Sequence, residues 1–172
     1  MDNIVLERIP QKKIRKYIQQ QQVKIKSFGE LKPSFKLWAG LDELFEHDES
    51  FICPFGIDKT WEFYLKSNPK DVWNGKLVSF GLMLCKSSNG VIYCNDSFQK
   101  AEIGQVYYIN LKLLGGLYNL AVSHEIVNIN SIEKYIEISY VEGGKSIGIQ
   151  RISLHPDNKG NTIINHKTFY RS

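Results

Sequence analysis

From Gly75 to the last residues, apolar and polar positions alternate with a period of two, in runs separated by turn residues. The runs predict strands over 76–85, 91–98, 106–113, 118–128, 132–141, 147–154 and 162–170. Between them stand Ser88-Asn89-Gly90, Gly104, Gly115-Gly116, Asn128 to Ser131, Gly143-Gly144 and Pro156 to Gly160. Connections this short favour an antiparallel meander, and the lack of strand–helix alternation disfavours a doubly wound parallel sheet.

The pattern before Gly75 differs. Pro10 opens a predicted helix whose Ile14, Tyr17 and Ile18 share a face, and Gly29 and Pro33 end that region. An amphipathic piece over 37–45 leads into an acidic turn, Glu46 to Glu49, and then a strand-like run at 50–55. Asp58 stands as the N-cap of a helix over 59–66, with Trp61, Tyr64 and Leu65 on one face and Glu62 and Lys66 paired on the other. Asn68-Pro69 ends it, and a short turn carries Val72 and Trp73. The predicted fold class is α+β, a curved antiparallel sheet of about seven strands gripping a helix. Its domains are an N-terminal helical extension at 1–34 and a main domain at 35–172.

Composition narrows the class. A chain of 172 residues, 42% hydrophobic and 23% charged, buries a real core without staples. No apolar run is long enough to span a bilayer and no secretory leader is visible, so a soluble, cytoplasmic protein is expected. Cys53, Cys85 and Cys94 are too far apart in sequence for metal-ligand spacing and read as buried free thiols. The net charge of +4 is concentrated in Lys12, Lys13, Arg15, Lys16, Lys24 and Lys26, read as a solvated helix face. These basic residues lie apart from the aromatic strands, so nucleic acid is not the expected partner. No nucleophile elbow, phosphate loop or dinucleotide fingerprint is present, and no cofactor or metal is expected.

The opening unit Phe51-Ile-Cys-Pro-Phe-Gly-Ile-Asp-Lys-Thr-Trp61, followed by Asn68-Pro-Lys-Asp-Val-Trp73, resembles that of the START-like (SRPBCC, helix-grip) superfamily. The closing stretch Ile147 to Leu154, a polar turn ending in Gly160, and Thr162-Ile-Ile-Asn-His166 resemble its last two strands. The resemblance covers about two-thirds of the chain by pattern. It implies a pocket between sheet and helix that holds a lipid, polyketide or aromatic compound. The superfamily also contains cyclases, dehydratases and hydrolases. One departure is that the sequence stops at Tyr170-Arg-Ser172, where the family carries a long helix walling the cavity. The expected substitute is cover from residues 11–26 or 35–45, or from a second chain in a homodimer through the uncapped sheet face.

Alternation gives the inward face independently of the resemblance. It selects Tyr118, Leu120, Val122, His124 and Ile126; Tyr107, Ile109, Leu111 and Leu113; and Ile164, His166, Thr168 and Tyr170. The candidate ligand-binding residues are Trp61, Tyr64, Tyr107, Leu111, Tyr118, Leu120, His124, His166 and Tyr170. His124 and His166 are the candidate acid–base groups of the enzyme alternative, with Glu125 or Glu137 as orienting partners. The leading reading is a small-molecule binder for a hydrophobic ligand, in which these histidines line the cavity without chemistry.

Overall fold

The computed structural model describes residues 1–36, 38 and 40–171. Period-two runs become β2 (Val78–Cys85), β3 (Gly90–Tyr93), β4 (Gln105–Leu113), β5 (Tyr118–Asn130), β6 (Tyr135–Tyr140), β7 (Ile147–Pro156) and β8 (Thr162–Arg171). With β1 (Phe45–Cys53) they form one antiparallel sheet in the order β1-β8-β7-β6-β5-β4-β2-β3. The fold is α+β and of the helix-grip kind, with eight strands where about seven were expected.

The acidic stretch Glu46 to Glu49, expected as a turn, lies inside β1. Its charges are tolerated because β1 is an edge strand, nearly all of it exposed. Lys167 on β8 offsets them, 2.7 Å from Glu46 and 3.8 Å from Asp48. Charges on an edge also discourage pairing with a further chain.

The run 91–98 is not one strand. Asp96 accepts from the Tyr93 N–H (3.0 Å) and from Arg8 (2.6 Å), and turns the chain after Tyr93. Residues 94–104 then cross the sheet, and the Ala101 N–H donates to the Leu65 carbonyl (2.7 Å). β4 therefore pairs with β2 instead of β3, a crossover where a plain meander was expected.

α2 (Ile57–Lys66) and α3 (Pro69–Val72) lie on the inner face of the sheet. The N-cap of α2 is Gly56, not Asp58, which sits in the first turn 3.2 Å from Lys134. Asn68 caps α3 by accepting from the Lys70 N–H (3.1 Å), with Pro69 at the first helical position.

The other face carries a second core. On α1 (Lys12–Gln22), Ile14 and Ile18 are fully buried with Phe28 and Leu31 against Leu82, Leu84, Val106 and Tyr108. Gly81 makes this approach possible, because a Cβ there would stand 2.5 Å from Ile14 Cδ1. It also forms a bulge that turns residues 81 and 82 to the same side. Ser34 accepts from the Gly148 N–H (3.1 Å), and Trp38 packs on Arg151 and Phe169 of the same outer face. The expectation that residues 11–26 or 35–45 close the pocket is thus corrected for the described residues. α1 and the side chains of Ser34 and Trp38 cover the side opposite the cavity, where the outer positions Leu82, Leu84 and Tyr108 are themselves apolar and need a partner. Leu37 and Ala39, in the expected amphipathic piece, lie outside the described residues, and 40–44 form no helix.

Candidate functional site

Inner-face alternation on β4–β8, roofed in part by α2, α3 and residues 94–104, leaves a cavity of about 1210 Å³. Its wall is aliphatic and aromatic: Ile109, Leu111, Ile126, Ile136, Ile138, Ile152 and Ile164 from the sheet, Trp73, Phe98 and Ala101 from above. Charged wall residues Lys59, Glu62, Lys66 and Asp71 are all exposed and belong to the helical rim. Polar groups on the strands are few: Tyr107, His124, Tyr140, Gln150, His166 and Thr168.

Strand geometry fixes the two histidines. His124 on β5 is half-buried between Trp73, whose ring lies nearly parallel at 6.0 Å, and Tyr140 at 4.3 Å. Its Nδ1 is buried and has no hydrogen-bond partner among the described residues. Burial without a counter-charge lowers its pKa to about 4, so the ring is neutral near pH 7. His166 on β8 meets the Tyr64 hydroxyl through Nε2 (3.2 Å) and the Phe51 ring edge-on at 5.7 Å. Its pKa is also lowered, chiefly by burial and partly offset by Glu49. Burial raises the Tyr64 and Tyr107 hydroxyls, and Tyr107 donates to Gln105 (2.8 Å).

Five of the nine ligand-binding candidates, Tyr64, Tyr107, Leu111, His124 and His166, form part of the wall. Trp61 is buried in the core beside it, 6% exposed. Tyr118, Leu120 and Tyr170 lie toward the strand ends and outside the wall; Tyr118 accepts from Lys145 and Tyr170 packs on Phe45. Trp73, Phe98, Ala101, Tyr140 and Gln150 were not selected. Alternation on β6 and β7 contained the signal for Tyr140 and Gln150. Phe98 and Ala101 reach the cavity only through the crossover, which periodicity does not reveal.

The histidines do not form one constellation. They stand three strands apart, about 14 Å at ordinary strand spacing, and four residues out of register, about another 13 Å. The carboxylates named as orienting partners face the other way. Glu125 holds Lys86 (2.6 Å) and Glu137 holds Arg151 (2.5 Å) on the outer side, since each is displaced by one residue from an inward neighbour. Among the described residues, no group of His, Cys, Asp and Glu has the arrangement of a metal site. The thiols of Cys53, Cys85 and Cys94 are unlinked.

The fold and site together define a helix-grip domain with a large, open apolar cavity. No established protein family matches the chain, and no curated protein matches it in sequence. Among solved structures, it is similar to major latex-like protein 151 of Panax ginseng, with 15% identity over 77% of this chain and 80% of that one, at a TM-score of 0.51. Two structural-genomics proteins align with TM-scores of 0.47. One, from Deinococcus radiodurans, has 10% identity over 74% of this chain and 82% of that one. The other, from Nitrosospira multiformis, has 11% identity over 74% and 79%. At these identities the likeness is one of fold.

Proposed function

We propose that this chain is a START-like binding protein that holds one hydrophobic small molecule, of the lipid, polyketide or aromatic kind, against the inner face of its sheet. The observation that carries the reading is the cavity itself, about 1210 Å³ with its charged groups only at the rim. Drug-sized ligands occupy roughly 300–1,000 Å³, so the space suits a ligand of that size or larger. The isoleucines supply the apolar contact. His124 supplies an orienting hydrogen bond from a neutral ring, and the Tyr64–His166 pair a second one at the far side. A neutral or weakly polar ligand suits such a wall, because a buried charge would find no counter-ion there. The separation of the histidines supports binding over acid–base catalysis by the pair.

The test is titration with the neutral fluorophore N-phenyl-1-naphthylamine, comparing the wild type with Thr168→Trp and Ile138→Trp. Both substitutions place an indole in the cavity. Saturable enhancement at one site, weakened roughly tenfold or more by each indole, is the expected result. Equal enhancement in all three proteins would overturn the reading.

A further inference from the structure

The tip of the β4–β5 hairpin, Leu113-Leu114-Gly115-Gly116-Leu117, holds no wall residue of the cavity and belongs to neither core among the described residues, yet it is built largely of leucines. Leu114 is 81% exposed and Leu117 90%. Leu114 has φ 51°, followed by Gly115 at 68° and Gly116 at 96°. A left-handed backbone strains a leucine, whereas glycine or asparagine takes it readily. The hairpin therefore carries a large aliphatic side chain in water at a position whose backbone disfavours it.

The surroundings add charge of one sign. Leu77, also exposed, adjoins the hairpin where its carbonyl accepts from the Lys112 N–H (2.8 Å). Lys76 is exposed beside it, Lys112 donates to the Gly75 carbonyl (3.2 Å), and Lys145 reaches the Tyr118 hydroxyl (3.3 Å). Residues 72–85 and 103–124 contain no Asp or Glu; the acids bounding the first segment are Asp71 and Asp96, those bounding the second are Glu102 and Glu125, and Glu142 is the acid nearest Lys145 in sequence. Aliphatic tips below a collar of lysines match the boundary of an anionic bilayer. Leucines enter the acyl region while ammonium groups stay with the phosphates. A groove on another protein would take the leucines but would give the collar no uniform role.

We propose that this hairpin docks the molecule on an anionic membrane surface, with Leu114 and Leu117 inserted and Lys76, Lys112 and Lys145 at the headgroups. Leu111, two residues before Leu113, lines the cavity, so docking brings that end of the cavity to the bilayer. The inference stands on the hairpin alone and does not require the ligand reading.

The experiment is co-sedimentation of the full chain with vesicles of phosphatidylcholine alone, or with about 30% phosphatidylserine. Binding to the anionic vesicles only, several-fold weaker at about 0.5 M salt than at about 0.1 M, is expected. The double variant Leu114→Asn, Leu117→Asn should lose roughly tenfold in bound fraction. Its thermal midpoint should hold or rise, because asparagine accepts the left-handed backbone, so the loss cannot be ascribed to unfolding. Lys76→Gln with Lys145→Gln should weaken binding to the anionic vesicles. Absence of sedimentation with either composition, or binding undiminished by the asparagines, overturns the proposal. So does a concentration-dependent dimer, abolished by the asparagines, in a protein that ignores vesicles; that outcome assigns the tip to a second copy.

Discussion

His124 carries an unusual polar burden for so apolar a cavity. With Nδ1 buried and unpartnered, the less costly tautomer keeps Nδ1 bare and the proton on Nε2, because an orphaned buried donor costs more than an orphaned acceptor. Protonation is opposed by desolvation, and the folded pKa of about 4 lies below the unfolded value near 6.5. Well above pH 6.5 both states are neutral and the ring contributes no pH dependence. As pH falls toward 4 the unfolded state takes up the proton first, so stability drops across that window. Urea melts of His124→Phe should show that drop reduced by on the order of 2 kcal/mol, allowing for water in the open cavity. A second residue-scale prediction concerns Gly148, with φ 148°, where a Cβ would stand 2.1 Å from the Phe169 carbonyl oxygen. Backbone cannot yield as a side chain can, so Gly148→Ala should cost about 3 kcal/mol or more in chemical denaturation.

Among the elements, α1 shows most clearly how the two faces are specialised. Its Ile14 and Ile18 need an apolar partner, and the bulge at Gly81 offers Leu82, Leu84 and Tyr108 on the outer side. Gly81→Leu should push α1 away and lower stability by about 2–3 kcal/mol, while probe binding on the opposite face persists. Lys86 fastens this layer by donating to the Leu31 carbonyl and to Glu125, both at 2.6 Å. Lys86→Met should cost about 3 kcal/mol, because it leaves a buried carboxylate unpaired; Lys86→Met with Glu125→Leu should recover most of the loss. The placement of α1 was not legible in the sequence. Its apolar stripe said that a partner was needed, but period-two reading marked Tyr108 and Asn110 only as the side opposite the cavity. A bulge that puts two consecutive residues on one side breaks the alternation such reading depends on. The edge position of β1 was hidden for a related reason, since charges tolerated at an edge look like a turn.

At the scale of the molecule, the sheet divides two apolar assemblies with different fates. The outer one is filled by the N-terminal segment, while the inner one keeps about 1210 Å³ unfilled. Most of the strands and the helix that the sheet grips were legible, because β-alternation and the Trp61 face are local signals. The wall was legible in part, as with Tyr64 on the gripped helix and Tyr107, Leu111, His124 and His166 on the strands. Tyr118, Leu120 and Tyr170 share the inward alternation but stand outside the wall, Leu120 even though it is paired with Leu111, and no local pattern says where a roof stops. The two faces also separate the isoleucines, and methyl NMR on isoleucine-labelled protein exploits this directly. On titration with N-phenyl-1-naphthylamine, shifts should be confined to Ile109, Ile126, Ile136, Ile138, Ile152 and Ile164, with Ile4, Ile9, Ile14 and Ile18 unmoved. Shifts centred on the outer set, or none at saturating probe, would contradict the account of an inner-face binding cavity.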